Sequence, residues 1–197
     1  MKPAEFIRRA VSGLRGSLES LTPTQRFACD LRSVDRFKER YWDFARDADR
    51  EDLAARLEEI LAELWLSGEP SVADTAIREI TPDDEEFPGY RFSGTAESLM
   101  LQLGSALKAR RLGTVESALE SLDGSYETAF MYAQEADDDD ETAPRLHVTN
   151  LGSAEHAAGV ERWLKEVQSE IDARTSDLRD SQLRMLDKSN LSSYRCR

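Results

Sequence analysis

The residues best suited to catalysis or metal binding are few and widely spaced in this chain. Its two histidines, His147 and His156, lie nine positions apart, and its two cysteines are Cys29 and Cys196. A structural zinc site needs four such ligands at short spacing, and a di-iron bundle needs two Glu-x-x-His motifs, so neither site is predicted. The glycine-rich phosphate loops and the nucleophile elbow do not occur in the sequence either. We therefore predict no catalytic residue, no metal site and no cofactor.

Carboxylates, by contrast, are abundant. Pairs such as Glu58–Glu59 and Glu116–Glu120 could in principle supply a general acid and a general base. Charged residues on amphipathic helices are ordinarily solvated, so we interpret both pairs as exposed helix surface. The acidic run from Asp137 to Glu141 lacks the alternating ligands and the glycine of a calcium loop. We interpret this run as solvated loop.

One short segment, Arg40-Tyr41-Trp42, is a candidate interaction or pocket site. Adjacent residues of a helix point about 100° apart, so Tyr41 and Trp42 are both buried only where their helix is covered on two sides. Core packing among the first three predicted helices explains this. The alternative is that one of the two lines a groove or a partner surface.

The elements that must position these residues are helices. Apolar residues recur at three- and four-residue spacing, and no useful period-2 alternation occurs, so the predicted fold class is all-α. Thr22-Pro23-Thr24-Gln25 forms a capping box with proline at the first helical position. We predict a single-domain bundle over residues 1–197 with about seven helices, the last of them long. They cover about residues 3–18, 22–46, 49–66, 71–80, 93–110, 114–133 and 153–186.

Two acidic loops separate these helices, one at about residues 81–92 and a mobile one at about 136–152. The first contains Pro82, Pro88 and Gly89, and the second is too charged to pack. The last predicted helix is longer than a globule of this size accommodates, since the radius of gyration of such a chain is about 16 Å. We therefore predict a bend near Arg174-Thr175-Ser176, unless the end of the helix lies along another surface.

Net charge is −13 over 197 residues, and the sequence pI is about 4.7. Such a field repels phosphates and anionic lipid surfaces, so nucleic acid and membranes are not expected partners, whereas a basic protein would be attracted. Two distant cysteines make no disulfide framework, and no signal peptide or apolar membrane span is readable. These features predict a cytoplasmic protein.

The chain also resembles the YjaG-like bacterial family, known as domain of unknown function 416. Residues 17–30, SLESLTPTQRFACD, are similar to the family's leucine-rich lead into a helix carrying a phenylalanine and an alanine-cysteine pair. The aromatic stretch from Arg40 to Phe44, the helix ending at Trp65 and the closing Ser189-Asn190-Leu191 continue the similarity. The resemblance implies a compact all-helical protein of the bacterial cytoplasm whose biochemical role is unknown.

The acidity and the lack of a catalytic constellation favour a non-enzymatic protein-interaction role, with a basic partner of the kind that an immunity or regulatory protein neutralises. The alternative is a small-ligand-binding protein or enzyme with a pocket between the two helical halves, lined by Arg40, Tyr41 and Trp42.

Overall fold

Within the residues that the structure describes, every regular element is an α-helix. This computed structural model describes residues 3–67, 74–83, 87, 90–139 and 154–183. The predicted all-α class is confirmed. The acidic segment from residue 140 onward, His147 and Cys196 lie outside the described residues. The helices in these ranges are α1 (Pro3–Gly13), α2 (Arg15–Glu19), α3 (Pro23–Asp47), α4 (Glu51–Ser67), α5 (Asp74–Glu79), α6 (Ser93–Leu112), α7 (Val115–Asp139) and α8 (Ala154–Leu183).

Helix α3 is the centre of the packing, because it contacts α4, α6, α7 and α8. Its start is the predicted capping box: the Gln25 amide donates to the Thr22 hydroxyl at 3.3 Å, and the Thr22 amide donates to the Gln25 side chain at 2.8 Å. Because neighbours surround α3, its buried residues extend round most of its circumference. They are Arg26, Phe27, Ala28, Cys29, Asp30, Leu31, Arg32, Ser33, Val34, Phe37, Tyr41, Phe44 and Ala45.

The single helix predicted over residues 3–18 is divided into α1 and α2 at Leu14. Leu14 has φ −96° and ψ −3°, and its amide donates to the Val11 carbonyl at 3.2 Å in a tightened turn. Gly13 and Gly16 flank this break, and each costs a helix about 1 kcal/mol relative to alanine. Two glycines within four positions therefore account for the break.

Two cap residues, Gly113 and Thr114, form the joint between α6 and α7. Gly113 ends α6 with φ +67°, a backbone conformation that glycine adopts without steric cost, and the Ser117 amide donates to the Thr114 hydroxyl at 3.2 Å. Asp123-Gly124-Ser125 lies inside α7 without interrupting it. Gly124 permits close packing on α6, since a Cβ there would lie 3.6 Å from the Gln102 Cα.

Helix α7 runs further than the sequence pattern indicated, and α8 lacks the predicted bend. Residues 136–139, predicted as the start of a loop, form the last turn of α7, because each added residue of an existing helix gains a backbone hydrogen bond at little entropic cost. Helix α8 is unbroken from Ala154 to Leu183, including the segment at Arg174 where a bend was predicted. It lies along α7 and α3, which is the second of the two arrangements expected for so long a helix.

The acidic loop predicted at 81–92 is non-helical at each of its described residues. Its Phe87 is buried, with its ring edge-on to Phe44 at 5.3 Å between centroids and to Tyr90 at 5.8 Å. An aromatic anchor therefore fixes this loop against α3.

Candidate functional site

The three residues predicted as a candidate site point to three different neighbours. Tyr41 is fully buried, and its hydroxyl donates to the Ile80 carbonyl at the end of α5. Its ring packs edge-on against Phe44 at 5.8 Å, and burial raises the pKa of the Tyr41 phenol well above its usual value. Tyr41 is therefore a core residue that anchors α5.

Trp42 is half-buried between α3 and α4, where its indole N–H donates to Glu58 at 3.3 Å. Glu58 also accepts from Lys38 at 3.2 Å, so its interpretation as exposed helix surface is incomplete: it bridges two residues of α3. Arg40 places its guanidinium 4.3 Å from the centre of the Tyr132 ring on α7 and donates to Asp43 at 3.3 Å. The structure does not bring Arg40, Tyr41 and Trp42 together around one pocket.

A buried set of charged residues, which sequence reasoning missed, joins α3 to α8. We call it the α3–α8 ionic cluster. Arg36 is its most connected member: its guanidinium donates to Glu170 at 2.8 and 2.9 Å and to Asp177 at 2.7 Å. Glu170 also accepts from the Ser33 hydroxyl at 2.6 Å. The members are Asp30, Arg32, Ser33, Arg36, Glu170, Arg174 and Asp177.

The deepest pair of the α3–α8 ionic cluster is Arg174 with Asp30. The Arg174 guanidinium donates to the Asp30 carboxylate and to the Cys29 carbonyl, with 1% of the Arg174 side chain exposed. Burial raises the pKa of Asp30, against the opposing charge of Arg174. Burial lowers the pKa of Arg174, but the negative charges of Asp30 and Glu170 and the hydrogen bond to Asp30 together exceed this effect, so the pKa is raised.

The charges of the α3–α8 ionic cluster balance: Arg32, Arg36 and Arg174 face Asp30, Glu170 and Asp177. Each carboxylate already accepts from an arginine, so the cluster offers no uncompensated base or nucleophile to a substrate. The cluster therefore joins the two helices through buried ion pairs.

A sequence signal for this cluster existed. Glu170, Arg174 and Asp177 recur at spacings of four and three, which places them on one face of α8. On α3, Arg32 is 3% exposed, although an arginine of an amphipathic helix is ordinarily solvated. When a helix packs on two sides, charged residues at helical spacing can therefore indicate a buried ionic cluster.

A second feature is a groove of about 390 Å³ between α5 and α6, which we call the α5–α6 groove. Its apolar wall comes from Ile77, Met100 and Leu101, and its charged side chains are Arg78, Lys108 and Arg111. The α5–α6 groove lies between the two helical halves, where the alternative interpretation expected a pocket, but it is lined by other residues than the predicted three. Tyr41 contributes to it indirectly by holding the end of α5.

A third feature is the outer face of α4. This helix carries five acidic residues and one arginine, and it packs against α3. Glu51, Asp52, Glu59 and Glu63 are exposed on it, while Leu57, Leu61 and Trp65 face the core. The predicted exposure of Glu59 is confirmed.

Comparison with models of protein families, with curated proteins and with solved structures finds no match. Among residues 3–67, 74–83, 87, 90–139 and 154–183, no three histidine, cysteine, aspartate or glutamate side chains are grouped so as to hold a metal ion. Nor does any helix in these ranges combine the length and the apolar character needed to cross a bilayer.

Proposed function

We propose that this protein is a non-enzymatic interaction module that binds a basic protein partner through the outer face of α4. The main support for this proposal is the excess of acidic side chains exposed on that face. Exposed positions 52, 55, 56, 59, 63 and 66 follow one helical stripe, which carries Asp52, Glu59 and Glu63 and the cation Arg56. Arg50, just before α4, donates to Asp52 at 2.9 and 3.1 Å, so the excess of negative charge is at Glu59 and Glu63. Leu66, 70% exposed, adds an apolar contact at the end of the stripe.

The ion pairs already present on this face would not hinder a partner. Arg56 donates to Glu59 at 2.8 Å, but 49% and 67% of the two side chains are exposed. Exposed pairs of this kind contribute about 0–1 kcal/mol, so a partner's arginine or lysine replaces them at small cost. The net charge of −13 also accelerates the approach of a cationic partner.

We also propose that the protein is cytoplasmic and bacterial and that it is related to the YjaG-like family. Its support is the sequence similarity of residues 17–30 and 40–44, and the cysteine usage expected in a reducing compartment. A partner of the immunity or regulatory type suits an acidic binding face, because neutralising a basic protein requires charge complementarity more than a catalytic group.

The proposal is tested by affinity capture from native bacterial lysate with two matched baits. The test bait is Glu59→Gln with Glu63→Gln on α4, and the control bait is Glu127→Gln with Glu161→Gln, which removes the same charge from exposed sites on α7 and α8. We expect the wild type and the control to retain the same basic protein at low salt and to release it at about 0.5 M salt, where charge interactions are screened. The proposal fails if the α4 double variant retains that protein equally well, or if no salt-sensitive basic protein is captured.

A further inference from the structure

The α5–α6 groove has a composition opposite to that of the whole chain. Three of its nine lining residues, Arg78, Lys108 and Arg111, are cationic and none is acidic, although acidic residues outnumber basic ones 39 to 26 in the sequence. Two helices contribute these cations, Arg78 from α5 and the other two from α6. The groove therefore presents a local positive site on a strongly negative protein.

Helix dipoles explain part of this positive charge without a ligand. Lys108 and Arg111 lie near the end of α6, where cations complement the helix dipole. Arg78 lies in the last turn of the short helix α5, so the dipole accounts for part of its placement too, but its guanidinium makes no ion pair with a residue that the structure describes. Lys108 pairs with Glu120 at 3.1 Å, but both side chains are 63% exposed, and such pairs exchange readily.

The rest of the groove is apolar and open. Leu101 exposes 61% of its surface along it, and Met100 and Ile77 are buried beneath. Gly104 lies between the apolar and the cationic parts, and a Cβ built there would meet nothing within 4 Å. An absent side chain at position 104 thus leaves the middle of the groove empty, with the Ser105 hydroxyl beside it.

We propose that the α5–α6 groove binds a small carboxylate with an aliphatic body, of the size of a medium-chain fatty acid. The aliphatic body lies on Leu101, Met100 and Ile77, across Gly104, and the carboxylate accepts from Arg78 and Lys108. Ligand sites commonly have about 300–1,000 Å³ and combine apolar walls with a few polar groups, as this groove of about 390 Å³ does. This inference is independent of the basic partner proposed for α4.

Titration calorimetry with three ten-carbon probes, each kept below its micelle concentration or its solubility limit, tests the charge requirement. The probes are decanoate, decanol and decyltrimethylammonium, which share an aliphatic body and differ in head-group charge. We expect decanoate to bind at least tenfold more tightly than either of the others, and its affinity to fall as salt is added. Absence of decanoate binding, or equal binding of decanol, overturns the proposal.

Two substitutions at one position test the location. Gly104→Phe fills the groove, whereas Gly104→Ala adds one methyl group in open space and serves as the control. We expect Gly104→Phe to lose decanoate affinity at least tenfold and Gly104→Ala to retain it within about threefold. Equal affinity in the two variants places the site elsewhere and overturns the proposal.

A third variant, Arg78→Gln with Lys108→Gln, removes two positive charges from the same groove and leaves its apolar wall intact. We expect it to remove the preference for decanoate over decanol, and an unchanged preference contradicts the proposal. Urea unfolding and circular dichroism confirm that each variant is folded before its affinity is compared.

Discussion

Arg174 of α8 donates to the carboxylate of Asp30 of α3, and neither side chain exposes more than 3% of its surface. The two residues are 144 positions apart, so their contact fixes how the last helix lies on the central one. A buried ion pair of this kind gains little net stability over an apolar pair, since desolvation offsets the attraction. It does penalise any arrangement of α8 that leaves one of the charges alone.

Substitution of Arg174 by methionine is expected to destabilise the fold strongly. The variant leaves Asp30 buried without its partner, and breaking a buried pair in this way costs about 3–5 kcal/mol. The free energy of unfolding from urea titration measures the loss. Arg179→Met, an exposed residue of the same helix, is the control and should change stability by about 0.5 kcal/mol or less.

The double variant Asp30→Leu with Arg174→Met distinguishes an unpaired charge from lost packing. Because both charges are then absent, we expect it to be more stable than Arg174→Met alone, which is a favourable coupling in a double-mutant cycle. A double variant at least as unstable as the single one would show that the charges themselves are not responsible.

Arg36→Lys tests the geometry of the α3–α8 ionic cluster while keeping its charge. All three guanidinium nitrogens of Arg36 donate, to Glu170 and Asp177, at 2.7–2.9 Å. A lysine ammonium cannot reproduce this planar fork, so we expect a loss of about 1–3 kcal/mol in the free energy of unfolding. Arg179→Lys should be neutral, and an equally neutral Arg36→Lys would contradict the role assigned to the fork.

Contacts between residues close in the sequence could be predicted, whereas contacts between distant residues could not. The capping box of Thr22 with Gln25 involves residues three positions apart, so the sequence alone predicts it, and the structure confirms it. Core packing was one of two interpretations of Tyr41, and the structure shows Tyr41 fully buried.

The charged stripe of α8 is visible in the sequence, but its pairing with α3 in the α3–α8 ionic cluster could not be located in this way. Its contacts join residues 134 to 145 positions apart, and charged residues are exposed by default until a packed neighbour is known. The α5–α6 groove depends likewise on how two helices meet and on the absence of a side chain at Gly104. Periodicity predicts which face of a helix is apolar, but it does not specify which helix covers that face.

Tyr41→Phe is expected to destabilise the protein although it changes one atom of the core. The Tyr41 hydroxyl donates to the Ile80 carbonyl, and Tyr41 is fully buried. Removal of a donor to a buried carbonyl costs about 1–3 kcal/mol, measured as the change in the free energy of unfolding. Tyr90→Phe, at a residue 39% exposed, is the control, and equal effects of the two substitutions would refute the assignment.

Alanine substitutions at two glycines of α6 should have effects of opposite sign. At Gly94 a Cβ would lie 2.9 Å from the Glu135 carboxylate oxygen, which accepts from the Gly94 amide at 2.8 Å and caps α6 from the neighbouring helix. Gly94→Ala displaces this cap, and the loss of a cap costs about 0.5–2 kcal/mol. Gly104→Ala meets no neighbour and improves helix propensity, so a gain of about 1 kcal/mol is expected. Urea midpoints that shift in the same direction would contradict the cap.

Asp123 should make stability depend on pH in a defined direction. Burial raises the pKa of the Asp123 carboxyl above its ordinary value. In the unfolded chain that pKa is about 3.9, so between the two values the folded state binds more protons and stability falls as pH rises. Asp123→Asn lacks the titrating carboxyl, and its stability relative to the wild type should therefore increase from acidic pH towards neutrality.

Glu127→Gln, an exposed change on the same helix, is the control. Urea titrations at several pH values measure the difference, and a difference that stays flat or falls with pH for Asp123→Asn would exclude a raised pKa.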